Sequence, residues 1–489
     1  MSTLRGGALV AAGASALVFV ASATAEIIAR GVQDGTLAVA PNGQPAVAYV
    51  RGKRVLIAER VSPGKWRTAH AASVSHGSEV AALRVGARGP VAVTLSADAR
   101  TLMLVRRTPQ GWRATRLARR LPRRAAFGPP GLLLDPAGLP IVTYTRWNGS
   151  SWNTVLTLVR LDRRGRFHLT SITRAGFPQS YVPPPSAPVM VKGRIHVVES
   201  YGYKTVVGTI EWTPVRHTWE GIFIHVGRGE WPVGPLFAAG AANGNVYAAW
   251  SQSILAFGAI PVALAVRGRH EEARWNFLLN RGLTTALALA SGRAEVAANE
   301  WVSDDPEDVF GHHPLWAGKV LSGKRRAELD GWISGLAADR RGRRNLLIAR
   351  AGGLSWFRSP GRLGKRVSIK ATEQQNGSVL VTGATRGVSS GSVTLYRERF
   401  GAGRQRIGRA SIARGTFSFV DRSPTPAAVY RAVYVDPSTG IPYAGLLRKE
   451  AGSSRRRAAR LRRTCCGHLI TRKHQERGAP RGKPRFPFG

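Results

Sequence analysis

From residue 26 to about residue 364, apolar and polar residues tend to alternate over short runs, and turns carrying glycine interrupt them. A period of two predicts strands rather than helices. One arrangement recurs: a strand, a turn with glycine, then an alternating apolar strand. Its copies read "AVAPNGQPAVAYV" (38–50), "LRVGARGPVAVTL" (83–95), "LLDPAGLPIVTYT" (133–145) and "VMVKGRIHVVES" (189–200). Three more follow as "AAGAANGNVYAAW" (238–250), "LALASGRAEVAANEW" (287–301) and "LAADRRGRRNLLIAR" (336–350). The turn glycines are Gly43, Gly89, Gly138, Gly193, Gly244, Gly292 and Gly342, spaced 46 to 55 residues apart. Near-even spacing of this length marks a repeat architecture.

Each copy continues in the same way. A third strand follows, such as "RVLIAERV" or "TLMLVRRT", and then a fourth that often begins with an aromatic residue, as in "GKWRTAHAAS" and "ARWNFLLNRG". Four short strands per repeat of nearly fifty residues predict the blades of a β-propeller. The seventh repeat ends after "GLSWFRS" and "PGRLGKR" without a fourth strand. The stretch "AEIIARG" at 25–31 has no hairpin partner of its own, and it matches fourth strands such as "FLLNRG" (277–282). It is expected to complete the last blade and close the ring. The fold class is therefore all-β: a seven-bladed β-propeller over 26–364, closed by an N-terminal strand.

These repeats, with Trp near the last turn, resemble the secreted bacterial β-propellers of the sialidase-like group. The Asp-box of that group runs Ser/Thr-x-Asp-x-Gly-x-x-Trp. Here Gly64 and Trp66 stand two apart, Gly111 and Trp112 are adjacent, and the Asp is missing from both. The resemblance implies architecture and does not extend to sialidase chemistry. Over 366–450 the strands shorten between Gly, Ser and Pro turns, and about seven of them fit a small sandwich. Its segments "GSVTLYR", "GTFSFVD" and "YRAVYVD" resemble bacterial immunoglobulin-like modules, which implies a spacer or adhesion unit.

The ends and the charge add context. Residues 1–25 carry Arg5, an apolar run and then Ala23, Thr24 and Ala25, which reads as a secretory signal peptide. The mature chain is expected to be secreted or extracellular and cell-wall associated, monomeric, with no integral membrane segment after cleavage. Residues 451–489 are aperiodic and cationic, which predicts a disordered basic tail. Both cysteines, Cys465 and Cys466, lie there, so disulfides do not staple the body. The chain has 72 Lys and Arg against 28 Asp and Glu, a formal charge of +44. Without the leader and the tail from Ser453, 59 cations face 27 acids, so the body is basic in its own right. Such a field favours contact with polyanions through the surface and tail.

Loops joining second to third strands gather on one face of a propeller, and loops carry function on a rigid scaffold. The long ones read "RWNGSSWN" (146–153), "SYGYK" (200–204), "SQSILAFGAI" (251–260) and "WVSDDPEDVFGHHPLW" (301–316). Arg146, Trp147, Trp152, Tyr201, Tyr203 and Trp301 are the candidate ligand-binding residues, because flat aromatic faces stack on sugar rings. The other use of such rings is packing between blades. Glu199 and Glu300 occupy matching places in the fourth and sixth repeats, where paired carboxylates suit glycan hydrolysis. A carboxylate neutralised by an arginine such as Arg146 is the alternative there. Asp304, Asp305 and Asp308 belong to an acidic stretch whose oxygens suit Ca2+, and otherwise no cofactor is expected. No Walker loop, HExxH or paired CxxC occurs, so the chemistries those motifs carry have no signature here. The pattern points to a binding protein for extracellular polysaccharide or cell-wall polymer. A glycan hydrolase or lyase of propeller fold, or a purely structural interaction propeller, are the competing readings.

Overall fold

A computed structural model describes residues 25–447 apart from 33, 148–153, 174–184, 201–203, 213–221, 229, 255–261, 268–273, 280–281, 303–314, 324, 351, 400–402 and 426–428. Every helix or strand element among the described residues is a β-strand. The strands form a propeller-like arrangement of antiparallel sheets. For reference, unit 1 spans 36–73, unit 2 spans 79–116, unit 3 spans 131–173 and unit 4 spans 186–228. Unit 5 spans 230–279, unit 6 spans 282–329 and unit 7 spans 332–359. Within each unit, successive strands pair with one another in chain order.

The first strands hold the units together. They are Thr36–Val39, Glu79–Gly86, Gly131–Leu134, Ser186–Val191, Glu230–Gly240, Gly282–Ala290 and Trp332–Ala338. Each touches the first strand of the next unit, and Trp332–Ala338 touches Thr36–Val39, so the contacts run in a circle. The approach is close enough to need missing side chains. A Cβ on Gly131 would lie 2.3 Å from Pro188 Cδ, and one on Gly335 would lie 2.7 Å from Leu37 Cβ.

The repeat glycines act as the sequence predicts. All seven hold positive φ, between 73° and 100°, a conformation that L side chains rarely adopt. Asp135 and Asp339 tighten two of these turns by accepting the N–H of Leu139 at 2.8 Å and of Arg343 at 2.9 Å. The turns at Lys192-Gly193 and Ser291-Gly292 place both residues at positive φ, which matches the twist of a two-residue hairpin.

The orphan strand Glu26–Ala29 completes unit 7. It runs antiparallel to Gly353–Ser359, with Glu26 opposite Trp356 and Ala29 opposite Leu354. Glu26 also fastens unit 7 to unit 1. Its carboxylate accepts from Arg60 Nη2 at 2.6 Å, from Trp66 Nε1 at 2.8 Å and from the Gly64 N–H at 2.9 Å.

Buried polar clamps bind neighbouring units elsewhere. Ser251 Oγ donates to Thr284 Oγ1 at 3.0 Å, and Ser186 Oγ donates to Thr143 Oγ1 at 3.1 Å. Asn299, fully buried, accepts the Ile333 N–H at 2.8 Å and donates to the Ile333 carbonyl at 3.0 Å. Asn299→Leu strands both backbone groups. At roughly 1–3 kcal/mol per unsatisfied group, the expected cost is about 3 kcal/mol, read as a lower urea midpoint with an unchanged slope. A loss below about 0.5 kcal/mol, within the range of ordinary surface substitutions, would deny the clamp its role.

Residues 366–446 form seven strands, the number the sequence predicts. Arg366–Glu373, Val379–Arg386 and Thr416–Asp421 pair as one group. Gly403–Ala413, Ser390–Arg399, Val429–Val435 and Pro442–Leu446 pair as another. A single residue pair, Ala413 with Thr416, joins the groups at a turn. The module is docked rather than held at a distance as a spacer would be. Its Val367, Tyr434 and Tyr443 share one apolar core with Leu329, Ile333 and Phe357 of units 6 and 7. Leu329 pairs with Tyr443, which joins the outer strand of unit 6 to the module. Residues 1–24 and 448–489, which hold the expected signal peptide up to its last residue, the expected basic tail and both cysteines, lie outside the described residues.

Candidate functional site

Strand register brings the candidate residues to one end of their sheets. Trp147 lies opposite Ala126, Glu199 opposite Ser186 and Glu300 opposite Gly282. In each case the end of a second strand sits beside the chain entering that unit. Arg146 is exposed there, and Trp147 is half-buried beside it. The Trp147 indole N–H is enclosed and has no hydrogen-bond partner among the described residues. A buried indole normally finds an acceptor, and the exposed Arg146 is its neighbour in the strand.

The two carboxylates differ in what is seen of them. Glu199 lies in Arg194–Ser200 with its backbone opposite Gly208. Glu300 is buried, and its Oε2 lies 2.5 Å from Lys319 Nζ. Lys319 also lies 3.5 Å from Glu328 and is itself buried. A lysine on the neighbouring strand is thus a partner of Glu300. Trp301 has its backbone opposite Trp316, whose ring stands edge-on to Trp332 with centroids 4.9 Å apart. Trp152, Tyr201, Tyr203, Asp304, Asp305 and Asp308 lie outside the described residues. Among the described residues, no group of three His, Cys, Asp or Glu side chains gathers as a metal site would.

Two carboxylates that the sequence reading passed over stand at the same end. Asp34 precedes the first strand of unit 1, and Glu79 opens the first strand of unit 2, opposite Leu95. Both reach solvent. Surrounding protein nevertheless displaces enough water to push both above the usual carboxylate range. For Glu79 the charge of Asp34 adds to the rise, whereas the Gly35 N–H and the Ser334 hydroxyl partly offset it for Asp34. The signal that could have found them is positional: each stands at the entry to a first strand.

No family model and no curated protein sequence matches the chain. Solved structures of similar fold include a hydrazine synthase of Kuenenia stuttgartiensis, at 12% identity and a TM-score of 0.44, covering 68% of this chain and 97% of that one. Another is an α-L-arabinanase of Penicillium chrysogenum complexed with arabinobiose, at 16% identity and 0.37, covering 57% and 92%. A third is the polysaccharide lyase Uly1, at 11% identity and 0.34, covering 68% and 90%.

Proposed function

We propose that the chain is a secreted or cell-surface binding protein, exported by a signal peptide over 1–25 and associated with the cell wall as a monomer. Its scaffold is a seven-bladed propeller of the sialidase-like group, and its C-terminal module is immunoglobulin-like. The circle of contacts among seven first strands supports the blade count. The three-plus-four strand pairing supports the sandwich. A hydrogen bond from the Tyr430 hydroxyl to Asp421 at 2.9 Å, across the turn between the two groups, fits the same reading.

The ligand is an extracellular carbohydrate or wall polymer, taken by the face that bears Arg146, Trp147, Trp152, Tyr201, Tyr203 and Trp301. The observation that carries this reading is Trp147, half-buried at the strand end beside an exposed Arg146. A sugar stacks on the ring while its hydroxyls or carboxylates accept from the exposed Arg146. The basic body adds attraction for acidic polymers. The 2.5 Å ion pair of Glu300 with Lys319 favours binding over hydrolysis by Glu199 and Glu300, since the carboxylate is already committed.

A glycan array probed with the purified chain tests this reading, and hits among acidic or wall-derived glycans are expected. Trp147→Ala and Trp301→Ala are each expected to weaken binding roughly tenfold, equivalent to ~1.4 kcal/mol. Unchanged binding in both variants would remove this face from consideration. Product release on long incubation with a bound glycan would instead favour a hydrolase or lyase.

A further inference from the structure

Ion pairing is uneven across the two faces of unit 2. On the face toward unit 1, Arg107 finds Glu59 at 3.3 Å, and Arg67 shares that carboxylate at 3.7 Å. Arg106, its neighbour in the same strand, points the other way, toward unit 3. There it stands directly opposite Arg113 in the ladder of Leu102–Thr108 with Gly111–Arg116. Opposite residues of an antiparallel pair share a face, with Cβ atoms about 5 Å apart, and like charges placed so are destabilising. Arg88, in the first turn of unit 2, adds a third positive charge. Burial, together with the charges of Arg113 and Arg88, holds the Arg106 pKa below its ordinary value.

Unit 3 borders this cluster without neutralising it. A Cβ on Gly165, in the turn between its third and fourth strands, would lie 3.7 Å from Arg106 Nη2. One on Gly138, in its first turn, would lie 4.0 Å from Arg88 Cγ. Each of these turns holds one acid, and both acids are engaged locally. Asp162 accepts from Arg166 Nε at 3.0 Å and pairs with His168 Nε2 at 3.0 Å, while Asp135 accepts the Leu139 N–H at 2.8 Å. The 162–166 turn also carries Arg163 and Arg164, both exposed. Arg88 and Arg113 are exposed as well, and Arg106 is partly buried. Among the described residues, no carboxylate reaches ion-pair distance of Arg88, Arg106 or Arg113.

We propose that Arg88, Arg106 and Arg113 form an oxyanion site between units 2 and 3 that takes a phosphate group. A guanidinium offers paired N–H donors that fork onto the oxygens of an oxyanion. Three of them, from two strands and a turn, suit a tetrahedral group with several charged oxygens better than a planar carboxylate. The bound group supplies the countercharge that neither unit offers. Arg163 and Arg164 border the site and extend it for phosphate carried on a chain. The second strand of each unit begins at its turn glycine and ends beside the candidate residues, as Pro140–Trp147 does. The oxyanion site therefore lies at the opposite end of the sheets from Trp147 and does not depend on the glycan reading.

Calorimetric titration of the full chain at constant ionic strength tests the proposal, with inorganic phosphate, tripolyphosphate and acetate as the probes. Phosphate is expected to bind and to raise Tm, and acetate to bind about tenfold more weakly. Arg106→Gln and Arg113→Gln should each weaken phosphate binding about tenfold. In phosphate-free buffer both variants should melt at or above the temperature of the unmodified chain, because each relieves the repulsion across the ladder. That comparison separates loss of the site from loss of the fold. Arg67→Gln removes the same charge from an exposed position on unit 1, and it should leave phosphate binding within about twofold, since salt screens distant charges. Equal weakening by Arg67→Gln and Arg106→Gln would overturn the proposal and assign the effect to the general basic field. Absence of phosphate heat with the unmodified chain would overturn it as well. Tripolyphosphate bound more tightly than phosphate, with the gain lost in Arg164→Gln, would support phosphate borne on a polymer; equal binding would support free phosphate as the ligand.

Discussion

Glu26→Ala is expected to destabilise the protein by about 3 kcal/mol, the lower end of the loss when one partner of a buried ion pair is removed. The variant should also expose its N-terminal strand to proteolysis before the rest of the chain. One carboxylate collects donors from three residues of unit 1: Arg60, Gly64 and Trp66. Its side chain is only 9% exposed, and that of Arg60 is 17% exposed, so water replaces little of what is lost. Trp356, opposite Glu26 in the ladder, lies between two guanidiniums, with Arg60 at 4.7 Å and Arg358 at 5.0 Å from the ring centroid. Trp66 meets the same ring edge-on at 5.9 Å. Loss of Glu26 thus frees Arg60 inside an assembly built around it.

Acid should act on the same latch. Burial by itself raises the Glu26 pKa, but the bonds from Arg60, Gly64 and Trp66 and the charge of Arg60 outweigh it and hold the carboxyl below its usual 4.5. A depressed folded value means that the stabilisation is complete above the unfolded value and drains away as pH falls through the folded one. The gap in Tm between the unmodified chain and Glu26→Gln should therefore be full at pH 6 and narrow below about pH 4. Equal melting temperatures at pH 6 would show that the latch is not what closes the ring. Gly353→Ala gives an independent check, since its Cβ would meet the Ala29 carbonyl at 2.0 Å.

The latch was legible in the sequence because it leaves two local traces, a seventh repeat short of a strand and a strand without a hairpin. Turn glycines were legible for the same reason, since a two- or four-residue turn carries its requirement within itself. Contacts between units leave no such trace. Nothing in "GTLAV" or "WISGL" announces that these strands meet, because only closure of the circle brings Trp332–Ala338 beside Thr36–Val39. Asn299 reads as an ordinary polar residue in an alternating strand until the next unit presents the Ile333 backbone to it. Trp66 serves the latch, and Trp112 lies under Arg107 at 5.4 Å, so these rings are packing elements of the sheets.

Docking of the C-terminal module was likewise hidden, and Arg431 carries its strongest expected effect. Arg431 is buried, with Nε 2.8 Å from Glu398 Oε1 and Nη1 3.5 Å from Asp330 Oδ1. Arg404 reaches the same two acids, at 2.7 Å from Asp330 and 3.5 Å from Glu398. Asp330 belongs to the turn after unit 6, whereas the other three belong to the module, so the cluster spans the junction. Burial alone would lower the Arg431 pKa, but Glu398 and Asp330 outweigh it and keep the guanidinium charged. Arg431→Met leaves two buried carboxylates sharing Arg404, which is partly exposed. The expected cost is about 3–5 kcal/mol, and scanning calorimetry should resolve two transitions where the unmodified chain shows one. Arg431 also donates to the Trp316 carbonyl at 3.1 Å, in the strand position opposite Trp301. Undocking should therefore disturb the strand opposite Trp301 and weaken any ligand that Trp301 holds. Replacing Arg431 and Glu398 together with apolar residues should recover part of the stability, because it removes a buried charge along with its partner. A double variant no more stable than Arg431→Met would mean that apolar contacts at Leu329 and Tyr443, rather than the charges, set the docking.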